Sequence, residues 1–381
     1  MNFEPLRNFL DYCLPALSVP GSDTVIYKGR EEVFRYQSGF DNIKMGTKLS
    51  PDALYSVYSI TKVSTAIAST QLIERGEISI TDPLYAYFPE YRHMAVKIKK
   101  DNGEYDITEA KNPILIKNLL TMTAGMNYDL DSSAIRGVKD ATLGRCPTLD
   151  VVRALSGEAL EFEPGSDYMY GLCFDVMGGI VELVSGMKLS EYFSENIFEP
   201  LGMKNTSFGY TEDKRLKMAT QYKYDARNRA PIEISWNDNP YVFGSEYESG
   251  GAGLISCVDD QILLADALTH LGLGKSGNRI LSSYGVNLMR SNQLTEKAYR
   301  TFSGNDKLGY GYGFGVRTNL EPHIAGNLAP VGEFGWDGAK LAYISSCPEM
   351  GVSVYHAEHM GSLHSTVIPR LRNIICSCMD Y

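Results

Sequence analysis

Four residues carry the first chemical signal: Ser59-Ile60-Thr61-Lys62, at the head of a predicted helix. Residues three apart on a helix share a face, so the Ser59 hydroxyl and the Lys62 amine can meet. A serine hydroxyl is a poor nucleophile until a base takes its proton. A lysine can be that base when burial and a neighbouring group lower its pKa. The helix start adds partial positive charge and free backbone N–H groups, one of which can hold an oxyanion. The same spacing equally suits an N-capping serine beside a solvated lysine. Two further segments bear on that choice. Phe162-Glu163-Pro164-Gly165-Ser166-Asp167-Tyr168-Met169-Tyr170-Gly171 runs directly into an apolar helix. Its Tyr170 can project from a loop into a cleft, where a phenol near an ammonium ion can shuttle protons; it can also simply pack, as one of 25 tyrosines. Glu333-Phe334-Gly335-Trp336-Asp337-Gly338-Ala339 precedes a strand. A Gly-flanked strand edge can offer a backbone N–H to a substrate oxygen, or be a plain β-turn.

These groups need elements to hold them. The chain opens with a predicted helix over about Glu4 to Cys13, then a hairpin of Thr24–Lys28 and Glu32–Tyr36 broken at Gly29. A long helix is predicted from about Ser59 to Arg75, with Val63, Ile67 and Leu72 at helical spacing and Gly76 as the stop. Residues 80 to 240 read as helix and loop, with Ile114–Thr121 and Asp175–Ser185 helical and Lys97–Asn112 a charged surface excursion. The last third returns to strands: Gly309–Val316, Leu341–Ser345 and Val352–Tyr355, closed by a helix from about His364 with Pro369 in or near its first turn. Strands at both ends with helices between them predict an α+β fold, its antiparallel sheet built from both chain ends and flanked by helices. The division expected is 1–79 with 245–381 as a discontinuous sheet domain and 80–244 as a mainly helical domain, the active site lying between them.

Taken in order, Ser59-x-x-Lys62, Tyr170 and Trp336-Asp337-Gly338 resemble the serine β-lactamase and penicillin-binding-protein superfamily over nearly the whole chain. Val19-Pro20-Gly21, Ile80-Thr81-Asp82-Pro83, Leu119-Leu120-Thr121-Met122-Thr123-Ala124-Gly125, Pro200-Leu201-Gly202-Met203 and Gly250-Gly251-Ala252-Gly253-Leu254 look like its successive landmarks. The branch it is most similar to is the class C-like group that includes the β-lactamase-type carboxylesterases. The resemblance implies Ser59 as the acylated nucleophile and Lys62 as its proton acceptor or electrostatic partner. Tyr170 becomes the second acid/base, and the N–H groups of Ser59 and Ala339 the oxyanion hole. It leaves open which of Lys62 and Tyr170 takes the first proton.

The departures point to substrate. Tyr170 is followed by Gly171-Leu172 where the family usually has x-Asn, and Trp336-Asp337-Gly338 stands where Lys-Thr-Gly or His-x-Gly is usual. The partners for a β-lactam carboxylate are thereby lost, and Asp337 would repel one if it faced the cleft. Trp336, Asp337, Gly338, Leu172, Tyr128 and Trp236 are the expected substrate contacts. A carboxylesterase is the leading expectation. A β-lactamase or D-amino-acid peptidase, and a low-turnover ligand-binding module, are the alternatives.

Composition narrows the rest. The 381 residues are 44% hydrophobic and 22% charged, which is globular, and the net charge of −10 argues against nucleic acid or anionic membranes as partners. No apolar run is long enough to span a bilayer, and the N-terminus lacks the layout of a secretory signal. Seven scattered cysteines suit reduced thiols in the cytoplasm better than a disulfide framework. Gly272-Leu273-Gly274-Lys275-Ser276-Gly277 imitates a dinucleotide loop but follows a helix, not a strand. Neither Cys376-Ser377-Cys378 nor His356, His359 and His364 has a zinc-site layout, so no metal and no cofactor are expected. The expected partner is a small ester, lactam or peptide, with a homo-oligomer left open.

Overall fold

The computed structural model describes residues 1–381 apart from Asp101, Asn305, Ser362 and Tyr381. Seven strands supply the body of one antiparallel sheet: β1 (Gly21–Lys28), β2 (Glu31–Asn42), β3 (Tyr310–Tyr312), β4 (Arg317–Asn319), β5 (Phe334–Asp337), β6 (Tyr343–Cys347) and β7 (Val352–Glu358). Their spatial order is β3-β4-β5-β6-β7-β1-β2, with Thr47–Lys48 completing the edge beyond β2. The sheet is thus assembled from the two ends of the chain, and β1 meets β7 with Val25 opposite Tyr355.

Alternation along the strands sorts side chains into two layers. Val25, Ile344, Tyr355 and Trp336 join the large core that runs through α1 (Thr61–Glu74), α2 (Cys173–Ser185) and α3 (Val258–Thr269). Ile26, Tyr343 and Val354 face the other way. They pack against the N-terminal helical run, through Leu6, Phe9 and Leu10, and against α4 (His364–Asp380), through Val367, Leu371 and Ile375. Pro369 is the sixth residue of α4, past the first turn, so its missing N–H leaves the Ser365 carbonyl without its helical donor.

Two hairpins break the helix-and-loop pattern expected between residues 80 and 240. Ala95–Lys99 pairs with Tyr105–Glu109, and Gln221–Asp225 pairs with Ala230–Ile234. The sequence of the first does alternate, with Val96 and Ile98 against lysines and Tyr105 and Ile107 against Asp106 and Thr108, but each run is only five residues long in a charged stretch, and Tyr105–Glu109 is exposed throughout. The second is anchored by Tyr222, whose N–H donates to the His359 carbonyl. The Gly309–Val316 segment is a strand only over Tyr310–Tyr312, but its glycines do permit close approach. A Cβ on Gly313 would lie 2.1 Å from the Met289 carbonyl oxygen.

Candidate active site

Ser59 sits on a short 3-10 turn, Tyr58–Ile60, that feeds directly into α1. The residue before it, Tyr58, has φ +47°, a left-handed conformation that costs on the order of 1–2 kcal/mol for a side chain of this size. Its hydroxyl is tied to Gln221 Oε1 at 2.7 Å and to the Asp238 carbonyl at 2.9 Å, which holds the turn in place.

Lys62 lies one turn further on and is fully buried, so the solvated-lysine reading of the motif does not hold. Its Nζ has three oxygen neighbours: Ser59 Oγ at 3.2 Å, Tyr128 Oη at 3.2 Å and the Gly251 carbonyl at 2.7 Å. Burial brings the Lys62 ammonium down to about 8, with the negative ends of Asp175 and Cys173 acting in the opposite direction. A neutral amine has two N–H groups and one lone pair. Donation to Gly251 and Tyr128 leaves that lone pair for the Ser59 hydroxyl proton.

Tyr170 arrives from the loop before α2. Its hydroxyl hydrogen-bonds Ser59 and accepts from Trp336 Nε1 at 3.0 Å, and its ring stacks on the Trp336 indole at 5.6 Å. The Lys62 ammonium stands 4.7 Å from the centre of the same ring. Burial drives the phenol well above its ordinary range, opposed by the Ser59 and Trp336 hydrogen bonds. At neutral pH Tyr170 therefore holds its proton, and the group shifted toward proton acceptance is Lys62.

Gly338, the residue after β5, lies against the Ser59 turn. A Cβ there would meet the Val57 carbonyl oxygen at 2.4 Å, so only glycine lets the strand end come so near. Next to it, the Ala339 N–H has no acceptor among the described residues.

Three expected substrate contacts lie elsewhere. Asp337 follows Trp336 on the strand, so the pleat turns it toward the α4 layer. There its carboxylate pairs with Lys307 at 3.2 Å and is held at about 2; burial would raise it, but Lys307, Arg317, His364 and Arg372 outweigh that. Leu172 is buried at the start of α2 beside Met126 and Leu160. The Trp236 indole packs edge-on against Tyr210 at 4.8 Å. From the same loop it is Tyr241 that reaches the site, 5.2 Å from the Tyr128 ring and 6.2 Å from that of Tyr58. Tyr128, Tyr170, Tyr241 and Trp336 form an aromatic surround to Ser59.

Asp175 escaped the sequence reading. It is buried in the first turn of α2 and accepts from Tyr247 Oη at 2.8 Å and Ser249 Oγ at 2.6 Å. These bonds fasten the loop whose Gly251 carbonyl receives Lys62. A Cβ on Gly251 would lie 2.4 Å from Asp175 Oδ2, which explains the glycine at that position. The available signal was an acidic residue inside an apolar helix, Cys173-Phe174-Asp175-Val176-Met177.

Other sequence features serve the fold. His356 bonds Thr24 Oγ1 at 2.7 Å and Glu358 at 3.0 Å, and all seven cysteines are free thiols. Among the described residues no helix is long and apolar enough to cross a membrane.

Comparison with known proteins bears on the family and the fold. The chain is 28% identical over 355 residues to Protein Rv1367c of Mycobacterium tuberculosis, covering 87% of each chain. It is 26% identical over 348 residues to Esterase EstB of Burkholderia gladioli, covering 86% of this chain and 83% of that one. Its fold matches EstCE1, a hydrolase with promiscuous acyltransferase activity, with a TM-score of 0.78 at 23% identity, over 98% of this chain and 97% of that one. The Beta-lactamase family model matches residues 7–356, and the chain belongs to that family as an enzyme of the serine hydrolase type.

Proposed function

We propose that the protein is a carboxylesterase that works through an acyl-enzyme on Ser59. The observation that carries this reading is the Lys62 amine, buried, shifted to about 8 and 3.2 Å from Ser59 Oγ. Lys62 takes the serine proton as Ser59 attacks the ester carbonyl. The N–H groups of Ser59 and Ala339 receive the developing oxyanion. Tyr170, held by Trp336, passes a proton to the departing alkoxide, and the same groups then activate the water that releases the acid. Tyr128 keeps the Lys62 lone pair on Ser59. The site lies where the sheet region, 1–79 with 245–381, meets the segment 80–244. Seven free thiols suit a reducing compartment, and we take the protein to act in the cytoplasm.

Esters are favoured over lactams and D-peptides by what faces Ser59. Trp336 and three tyrosines offer apolar surface for an acyl chain or alcohol. The one acidic side chain of the Trp336-Asp337-Gly338 strand is committed to Lys307, and no strand lysine or threonine is present to bind a carboxylate. Initial rates on nitrophenyl acetate and butyrate, nitrocefin and a D-alanyl anilide test this. The esters are expected to turn over faster by roughly 100-fold or more in kcat/KM. Nitrocefin hydrolysis that matches or exceeds the ester rates would contradict the assignment.

A further inference from the structure

The oxygen of Gly338 and the N–H of Ala339 belong to a single peptide group. In a trans peptide the two point in opposite directions, so whatever fixes the oxygen also aims the N–H. The Gly338 oxygen accepts twice. The Leu341 N–H donates to it at 2.9 Å, closing the turn between β5 and β6. His364, the first residue of α4, lies with Nε2 at 2.6 Å from the same oxygen. A carbonyl oxygen can only accept, so Nε2 is the nitrogen that carries the proton in this contact. The imidazole approaches from the α4 layer, on the side of β5 to which Asp337 also turns. Gly338 itself is pressed against the Val57 carbonyl of the Ser59 turn. A rigid strand end on one side and an imidazole on the other leave the peptide plane little freedom.

We propose that His364 is a positioning residue for the oxyanion hole. It never touches substrate. It pins the Gly338–Ala339 peptide with the N–H toward Ser59, and it draws electron density to the carbonyl, making that N–H a stronger donor by on the order of 10–30%. The proposal rests on the reading of Ala339 as an oxyanion donor.

The test is steady-state kinetics on nitrophenyl butyrate with His364→Leu, which removes the donor, and His364→Gln, which keeps one. Loss of a whole oxyanion donor costs about 10²–10³ in kcat, and loss of its support is expected to cost about tenfold. His364→Leu should lower kcat about tenfold with KM within about twofold, and weaken a boronic acid that mimics the tetrahedral state by a similar factor. His364→Gln should recover most of both. Should His364→Leu fail to fold, His364→Ser removes the reach with less apolar bulk and is read the same way. Wild-type kcat and boronate affinity in the Leu or Ser variant would overturn the proposal. So would a Gln variant as impaired as the Leu one, since that marks a merely structural role. A wild-type protein without Ser59-dependent turnover would overturn the esterase reading beneath it; normal wild-type turnover with an unaffected His364→Leu would overturn the His364 assignment alone.

Discussion

Lys62→Met is expected to lose about 10³-fold in kcat/KM for any ester while melting no lower than the unaltered protein at pH 7. The two halves of this result have one cause. Moving a fully buried amine from 10.5 to about 8 corresponds to a penalty on its charged form on the order of 3 kcal/mol. The folded value lies below the unfolded one, so the penalty is complete below about pH 8 and fades as pH rises toward 10.5. Stability of the unaltered protein therefore rises across that window, and the methionine variant should lack the rise. Methionine removes the charged form altogether. In exchange it strips the Gly251 carbonyl of its donor, at a cost of about 1–3 kcal/mol, which is why no large net gain is expected. Catalysis shows the other side of the same titration. Only the neutral amine accepts the Ser59 proton, so kcat/KM should fall about tenfold per pH unit below about 8 and level off above it. A pH profile flat from 6 to 9, as roughly read against that limb, would remove Lys62 from the role of base.

Tyr170→Phe is expected to show a loss that depends on the leaving group. A nitrophenolate departs without help, whereas an alkoxide needs a proton in the transition state. The variant should therefore drop about tenfold on nitrophenyl esters but 10²–10³-fold, roughly, on the matching ethyl esters. The hydroxyl that is lost also accepts from Trp336 Nε1, so the indole N–H is left without its partner at about 1 kcal/mol of stability. Paired initial rates on the two ester series give the comparison directly. An equal loss on both series would show that Tyr170 orients Ser59 and moves no proton to the leaving group.

How much of the site is legible in the sequence depends on the range of each interaction. Ser59 and Lys62 are one helical turn apart, and local geometry is enough to bring them together. Tyr170 comes from 111 positions after Ser59, and no local rule reaches that far; the order of motifs did. Asp337 was misplaced because its direction depends on the phase of the β5 pleat, and Gly-flanked strands of four residues give too little alternation to fix that phase. Trp236 and Tyr241 lie in one aromatic loop, which Asn239 ties to the Ala252 carbonyl at 3.0 Å, a partner thirteen residues away, and no local pattern tells which ring turns inward. Asp175 and Gln221 act wholly through distant loops. The two-ended sheet was legible because strand-type runs cluster at the chain termini. The Tyr105–Glu109 strand was not, since its alternation of Tyr105 and Ile107 with Asp106 and Thr108 spans only five residues inside a charged stretch.

The central claim is that Ser59 forms a covalent bond to substrate. Intact-mass measurement after brief exposure to an activated ester or a fluorophosphonate, followed by peptide mapping, tests it most directly. One adduct per chain is predicted, on the peptide carrying Ser59, and none on Ser59→Ala. An adduct on another residue, or ester hydrolysis by Ser59→Ala at the wild-type rate, would contradict it.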